Sequence, residues 1–181
     1  MTMHIRPSVP ADIDVILTLH LRAFGTEEGA EIADLVRNLF DDPSALPLFS
    51  FVAAVETNII GHILFSRVSI DGPSDKINAQ ILAPLAVTPK HQGTGVGSRL
   101  IGYALDELKK AGTELVFVLG HPGFYSRAGF RPALPLGLAA PYRIPAEHAD
   151  AWMVQTLRNG LPDNLQGTVR CSDALNRPQY W

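Results

Sequence analysis

Residues 79 to 120 restrict the fold more tightly than any other part of the chain. They read as an apolar run, "AQILAPLAVT", a loop with glycine at positions 93, 95 and 97, a helical pattern, and a second apolar run, "ELVFVLG". In the helical part Leu100, Ile101, Ala104, Leu105, Leu108 and Ala111 recur at helical spacing, and Gly112 ends it. The final run lacks polar alternation, as in a strand covered on both faces. Strand, helix and covered strand form a βαβ crossover, which is right-handed and leaves its two strands parallel.

The rest of the chain supplies the other layers. A short strand at His4–Arg6 leads into a helix from about Ala11, with Ile13, Ile16, Leu17, Leu21 and Phe24 on one face and Pro10 in its first turn. A second helix spans Glu27–Phe40, its inner face built from Ile32, Leu35, Val36, Leu39 and Phe40. Its outer face is acidic, with Glu27, Glu28, Glu31 and Asp34. The period then shortens to that of strands: "FSFVAAVE" and "IIGHILFSRVSI" flank Thr57-Asn58 as a hairpin. Pro84 interrupts the next strand and marks an edge or a bulge, because proline cannot donate to a ladder. "PGFYSRAGF" reads as a short helix closing at Gly129, and "RPALPLGLAAPY", "AWMVQTLR" and "QGTVRC" read as late strands. The fold class is α/β: a single mixed sheet with helices on both faces.

Length and composition limit the functions open to such a fold. A chain of 181 residues suits one domain, over 1–181, and is short for two. A net charge of −3 with dispersed Lys and Arg excludes a nucleic-acid footprint. No apolar run reaches the roughly 20 residues that cross a bilayer, so no membrane partner is expected. The segment "MTMHIRPSVPADID" lacks the apolar centre of a secretory signal. Cys171 is the single cysteine and cannot form an internal disulfide, which points to a cytoplasmic location.

Glycines 93, 95 and 97 bare the main chain just ahead of a helix, where unpaired N–H groups and the helix dipole favour an anion. A diphosphate is the natural guest; a tight turn with close helix–strand packing is the alternative. The nucleoside-triphosphate loop is excluded because Ser98-Arg99 follows Gly97 instead of Lys-Ser/Thr. The dinucleotide pattern is excluded because Ser98 and Leu100 occupy positions that need glycine.

Gln92-Gly93-Thr94-Gly95-Val96-Gly97 has the pattern Q/R-x-x-G-x-G/A, and Tyr125-Ser-Arg-Ala-Gly129-Phe130 has the pattern Y-x-x-x-G-F directly after the apolar strand. On these two motifs the chain resembles the GCN5-related N-acetyltransferases (GNAT). "GHILFS", "LAPLAV" and "FYSRAGFRPA" are particularly similar to the bacterial N-acetyltransferases of the YhbS type. The resemblance covers about residues 3–170, with a C-terminal extension over about 171–181. It implies the acyl-CoA N-acyltransferase fold, a mostly antiparallel sheet whose parallel strands β4 (79–88) and β5 (114–120) splay apart at a bulge. It also implies acetyl-CoA as co-substrate and calls for no metal. The pyrophosphate would lie on the N–H groups of Gly93, Thr94, Gly95, Val96 and Gly97, near Gln92 and the Ser98 hydroxyl. The pantetheine arm would pair with the backbone of Leu85, Ala86 and Val87.

The same resemblance places Tyr125 as the acid for the departing thiolate; a phenol with pKa about 10 is protonated at neutral pH. The alternative for Tyr125 is aromatic packing. Because β4 lacks a glutamate, His121 at the end of β5 and His62 within "GHILFS" are the candidate bases, imidazole titrating at about 6.5. Acceptor selection is expected from the two-helix region and the last strands. There Glu27, Glu28 and Glu31 would attract a cationic amine, and Phe24, Tyr142 and Trp152 would line a pocket or pack in the core. The acceptor would be a primary amine of a small molecule or a protein. A second copy of the chain could pair with the late strands, and Tyr180-Trp181 reads as docking on its own domain or on a partner. The competing readings are a non-catalytic acyl-CoA sensor of the same fold and an unrelated phosphate-ligand protein.

Overall fold

The computed structural model describes residues 2–161 and 163–181. Strands β1 (Met3–Pro7), β2 (Phe49–Val55), β3 (Asn58–Ile70) and β4 (Ala79–Val87) pair antiparallel in sequence order. Beside them lie β5 (Leu115–Leu119), then β8 (Trp152–Thr156), then β6 (Arg131–Pro132). The β4–β5 pair is parallel, as the crossover through α2 (Val96–Lys110) requires. Strand β9 (Gly167–Arg170) pairs with the far end of β3 and with β7 (Leu138–Ala139), off the main path.

Strand alternation divides the core into two layers. Leu64, Ile81, Phe117 and Trp152 face α1 (Ile13–Asp41) and pack on Ile16, Leu17, Leu35, Val36 and Leu39. Ile63, Phe65, Leu82, Val116 and Val118 face α2 and pack on Val96, Leu100, Ile101, Ala104 and Leu108. Each such fully buried aliphatic side chain contributes about 1.5–3 kcal/mol. Close packing of α2 depends on Gly61, where a Cβ would stand 2.9 Å from Leu100 Cδ1 and 3.0 Å from Val96 Cγ1.

The two helices expected at the N-terminus are the halves of α1, broken at Gly25 (φ 79°, ψ −172°). The break folds the second half back so closely that a Cβ on Gly29 would lie 2.3 Å from the Leu21 carbonyl oxygen. This bend directs Glu28 and Glu31 toward the opening described below.

Two expectations about the fold are corrected, the first being the β2–β3 turn, which sits at Glu56-Thr57 instead of Thr57-Asn58 because Asn58 already pairs with Val55. The run from 131 to 142 is no continuous strand; it holds only β6 and β7, of two residues each, with a 3-10 turn at Leu134–Leu136 between them. Pro132, Pro135 and Pro141 remove the ladder donors that a longer strand needs.

Candidate active site

The site starts where β4 and β5 part. Their pairing runs from Ala79–Leu115 to Leu82–Val118 and stops there. Just beyond, Leu64 of β3 faces both Ala83 and Pro84, a bulge between the pairs Phe65–Leu82 and Ile63–Leu85. Thr88 N–H bonds to the Ile60 carbonyl at 2.8 Å, which sets the alternation along β4. By that alternation Ala86 turns its N–H and C=O toward β3, while Leu85 and Val87 turn theirs toward the gap. The expectation for Ala86 is thus corrected: its backbone belongs to the β3 ladder. Leu85 and Val87 carry the free edge, and the Gln92 amide donates to the Val87 carbonyl at 3.0 Å.

The glycine loop lies at the end of this edge. Gly93 and Gly95 have φ of 73° and 86°, the left-handed region that glycine enters without strain. Gly95 is the N-cap of α2, and Arg99 N–H donates to its carbonyl at 3.1 Å. The N–H groups of Val96, Gly97 and Ser98 therefore have no helical carbonyl behind them and remain free for an anion. The Thr94 hydroxyl is spent on the His91 carbonyl at 2.6 Å. Gly97 admits Phe124, whose Cζ would lie 3.3 Å from an added Cβ.

Phe124 belongs to α3 (Pro122–Tyr125), which follows β5 directly and is capped by His121. Tyr125 is buried, its ring held edge-on by Phe124 at 5.0 Å and Phe130 at 5.7 Å. Burial raises its pKa from 10.0 to about 12. The ring seats against Gly120, where a Cβ would stand only 2.4 Å from Tyr125 Cε2. Tyr125, His121, Leu85 and Gln92 all line one cleft of about 940 Å³, which runs over the parted strands to the second half of α1.

The other histidine candidate lies elsewhere. His62 is fully buried on the α1 face, bonded through Nδ1 to His20 Nε2 at 2.7 Å and through Nε2 to Ser50 Oγ at 2.9 Å. The Ser8 hydroxyl continues the chain, donating to Ser50 at 2.6 Å. Burial holds His62 well below the usual imidazole range and His20 at about 4, so both are neutral packing residues and His62 is withdrawn as a base. Trp152 is likewise core, stacked on Phe117 at 5.1 Å, and Tyr142 bonds the Asn176 carbonyl. Among the described residues the α1 end of the cleft is walled by Phe24, Glu28 and Glu31 and by Leu175, Tyr180 and Trp181, and none of the late strands contributes a lining residue. Sequence reasoning missed Gly120 and Phe124 as site-shaping residues. The glycine at the end of an apolar strand, just before "HPGFY", was the signal that could have found them.

Residues 4–133 match the family profile of the acetyltransferase (GNAT) domain. The chain belongs to the GNAT family. This GNAT chain is 44% identical over 173 residues to the uncharacterized N-acetyltransferase YjhQ of Escherichia coli K12, covering 95% of the chain and 92% of the relative. It is 34% identical over 175 residues to the uncharacterized N-acetyltransferase YhbS of the same strain, covering 97% of the chain and 99% of the relative. Its fold superposes on the crystal structure of Escherichia coli YhbS in complex with CoA, with a TM-score of 0.82, 32% identity, and coverage of 97% of this chain and 93% of that one. A GNAT acetyltransferase from Brucella melitensis in complex with acetyl-CoA matches with a TM-score of 0.69 and 31% identity, covering 96% and 98%. The free N–H groups at α2 and the open edge of β4 fit a diphosphate and a pantetheine arm, respectively.

Proposed function

We propose that the protein transfers the acetyl group of acetyl-CoA directly to a primary amine of a small molecule or protein. One observation carries this reading: a helix N-terminus with free N–H groups continues into a parted strand pair, and Tyr125 closes the far side of the same cleft. The diphosphate would rest on Val96, Gly97 and Ser98, and the pantetheine amides on Leu85 and Val87. A β4 N–H aimed into the gap polarises the thioester carbonyl without reorganisation, because the strand is already held by β3.

The transfer forms one C–N bond and breaks one C–S bond. The neutral amine attacks the thioester carbon, the tetrahedral oxyanion collapses, and the thiolate departs. Tyr125, with its pKa at about 12, is fully protonated at neutral pH and donates a hydrogen bond to the sulfur. Outright transfer of that proton to a thiolate of ordinary pKa, about 8.5, is uphill by roughly a thousandfold. It completes as the proton released by the amine, through His121 or water at the cleft rim, restores the balance. A covalent cysteine intermediate has no support: burial pushes the Cys171 thiol up to about 11, leaving almost no thiolate at neutral pH.

Residues Ile81 to Leu85, the part of β4 in the cleft, carry no titratable side chain, which favours one second reading, a non-catalytic acyl-CoA sensor. Calorimetry with CoA and acetyl-CoA, followed by thiol release with a panel of amines, separates the two. Transfer predicts thiol release that Tyr125→Phe lowers while CoA affinity stays unchanged. Binding of acetyl-CoA without thiol release for any amine would leave only the sensor.

A further inference from the structure

Residues 172–181 form a pinned strap. The N–H of Ala174 donates to Asp42 Oδ2 at 2.8 Å and that of Asp173 to Ser44 Oγ at 2.9 Å, just past the end of α1. Ala174 and Leu175 are buried in the α1-side core. The Trp181 indole N–H donates to the Leu175 carbonyl at 3.2 Å, and its ring stands edge-on to Trp152 at 5.6 Å. The strap therefore delivers Tyr180 and Trp181 into the cleft wall alongside Glu28 and Glu31. Partial burial raises the pKa of the Tyr180 phenol, and Glu31 and Asp34 raise it further, whereas Arg177 opposes them and stands outside the cleft wall. His121 at the opposite rim is the one basic side chain among the lining residues.

A carboxylate pair that grips an ammonium group keeps it protonated, and a protonated amine cannot attack a thioester. These carboxylates are thus suited to a cation that does not react. Aromatic faces beside them add cation–π attraction and an apolar surface for the intervening methylenes. Resting on the acetyl-transfer reading, we propose that Glu28, Glu31, Tyr180 and Trp181 bind a second, non-reacting ammonium of the acceptor. The substrate class is then a small diamine, with its other amine delivered toward Tyr125.

The test titrates the CoA-saturated protein with 1,5-diaminopentane and with pentylamine by calorimetry, alongside thiol release from acetyl-CoA for both amines. Both amines are ammonium ions at neutral pH and can occupy the carboxylate site, but only the diamine then presents a second amine, so its kcat/KM for thiol release should exceed that of pentylamine at least about tenfold. The combined variant Glu28→Gln, Glu31→Gln should bring the two amines to within about twofold, with the affinity for CoA unchanged. Trp181→Ala should reduce the preference in the same way, and the exposed glutamates serve alone if that variant does not fold. Equal kcat/KM for the two amines in the unaltered protein, or a preference that survives in the glutamate variant, would overturn the proposal. Thiol release with equal use of both amines removes the diamine site and leaves acetyl transfer standing. Calorimetric binding of the amines that the glutamate variant abolishes, with no thiol release for any amine, keeps the ammonium site and removes acetyl transfer.

Discussion

Replacing Gly120 with alanine tests whether the position of Tyr125 matters to the chemistry. The added methyl would lie 2.4 Å from Tyr125 Cε2 and 3.0 Å from Cδ2, whereas carbon atoms rest at about 3.5–4.0 Å. The ring must withdraw by roughly 1 Å, because Gly120 N–H is tied to the Ala151 carbonyl at 2.9 Å and the strand cannot yield freely. Phe124 and Phe130 close off two other sides of the ring, so part of the strain stays in the packing, about 1–3 kcal/mol of lost stability. A displacement of that size at a reacting group costs about 10²-fold in rate. With saturating acetyl-CoA, thiol release by Gly120→Ala should fall about 10- to 100-fold, while the CoA Kd by calorimetry stays within about twofold. Adding Tyr125→Phe should cost little more, since both changes remove one interaction. A folded Gly120→Ala protein with unaltered kcat, or a double variant whose losses multiply, would refute the argument.

Two further outcomes follow from the geometry. Gly95→Ala should lower stability by about 1–2 kcal/mol, the cost of a left-handed φ of 86° with nothing within 4 Å of its Cβ position, and should weaken CoA binding by up to about tenfold if the free loop relaxes out of that φ and must recover it to present its N–H groups; urea midpoints and calorimetry with CoA check it, with Gly102→Ala on the exposed face of α2 as a neutral or stabilising control. Stability should fall with acidification from pH 6.5 toward 5: the unfolded chain protonates its histidines near 6.5, while folded His20 waits until about 4 and His62 stays neutral well below 6.5. The slope is at most about 1.4 kcal/mol per pH unit for each histidine, and urea midpoints at the two pH values should differ less in the variant His20→Leu, His62→Leu.

The parts of the site that were legible in the sequence are those whose cause is local. The loop glycines 93, 95 and 97, the amphipathic α2, the fully apolar β5 and the ladder-breaking Pro84 each act through their own backbone or their own period. Their neighbours along the chain were enough to read them. The separation of one helical face ending at Phe24 from another starting at Glu27 was visible for the same reason, and the structure sets the break between them at Gly25. His62 misled because its alternation in β3 tells which face it takes only once α1 is known to cover that face with His20. Ala86 misled for a related reason, since one bulge residue decides whether its backbone meets β3 or the gap.

From the sequence alone came the βαβ crossover, the bare N–H loop at the start of α2 and a tyrosine after β5, because hydrogen-bond deficits and hydrophobic periods are properties of contiguous residues. Only the tertiary structure decided that Gly61 and Gly120 serve as contact surfaces for α2 and for Tyr125, and that the strap ending in Tyr180-Trp181 walls the cleft beside Glu28 and Glu31. The Gly61 contact and the strap join segments 35 to more than 150 residues apart, and close packing between such segments, unlike periodicity, leaves no local trace; Gly120, five residues before Tyr125, leaves only the glycine itself as a sign.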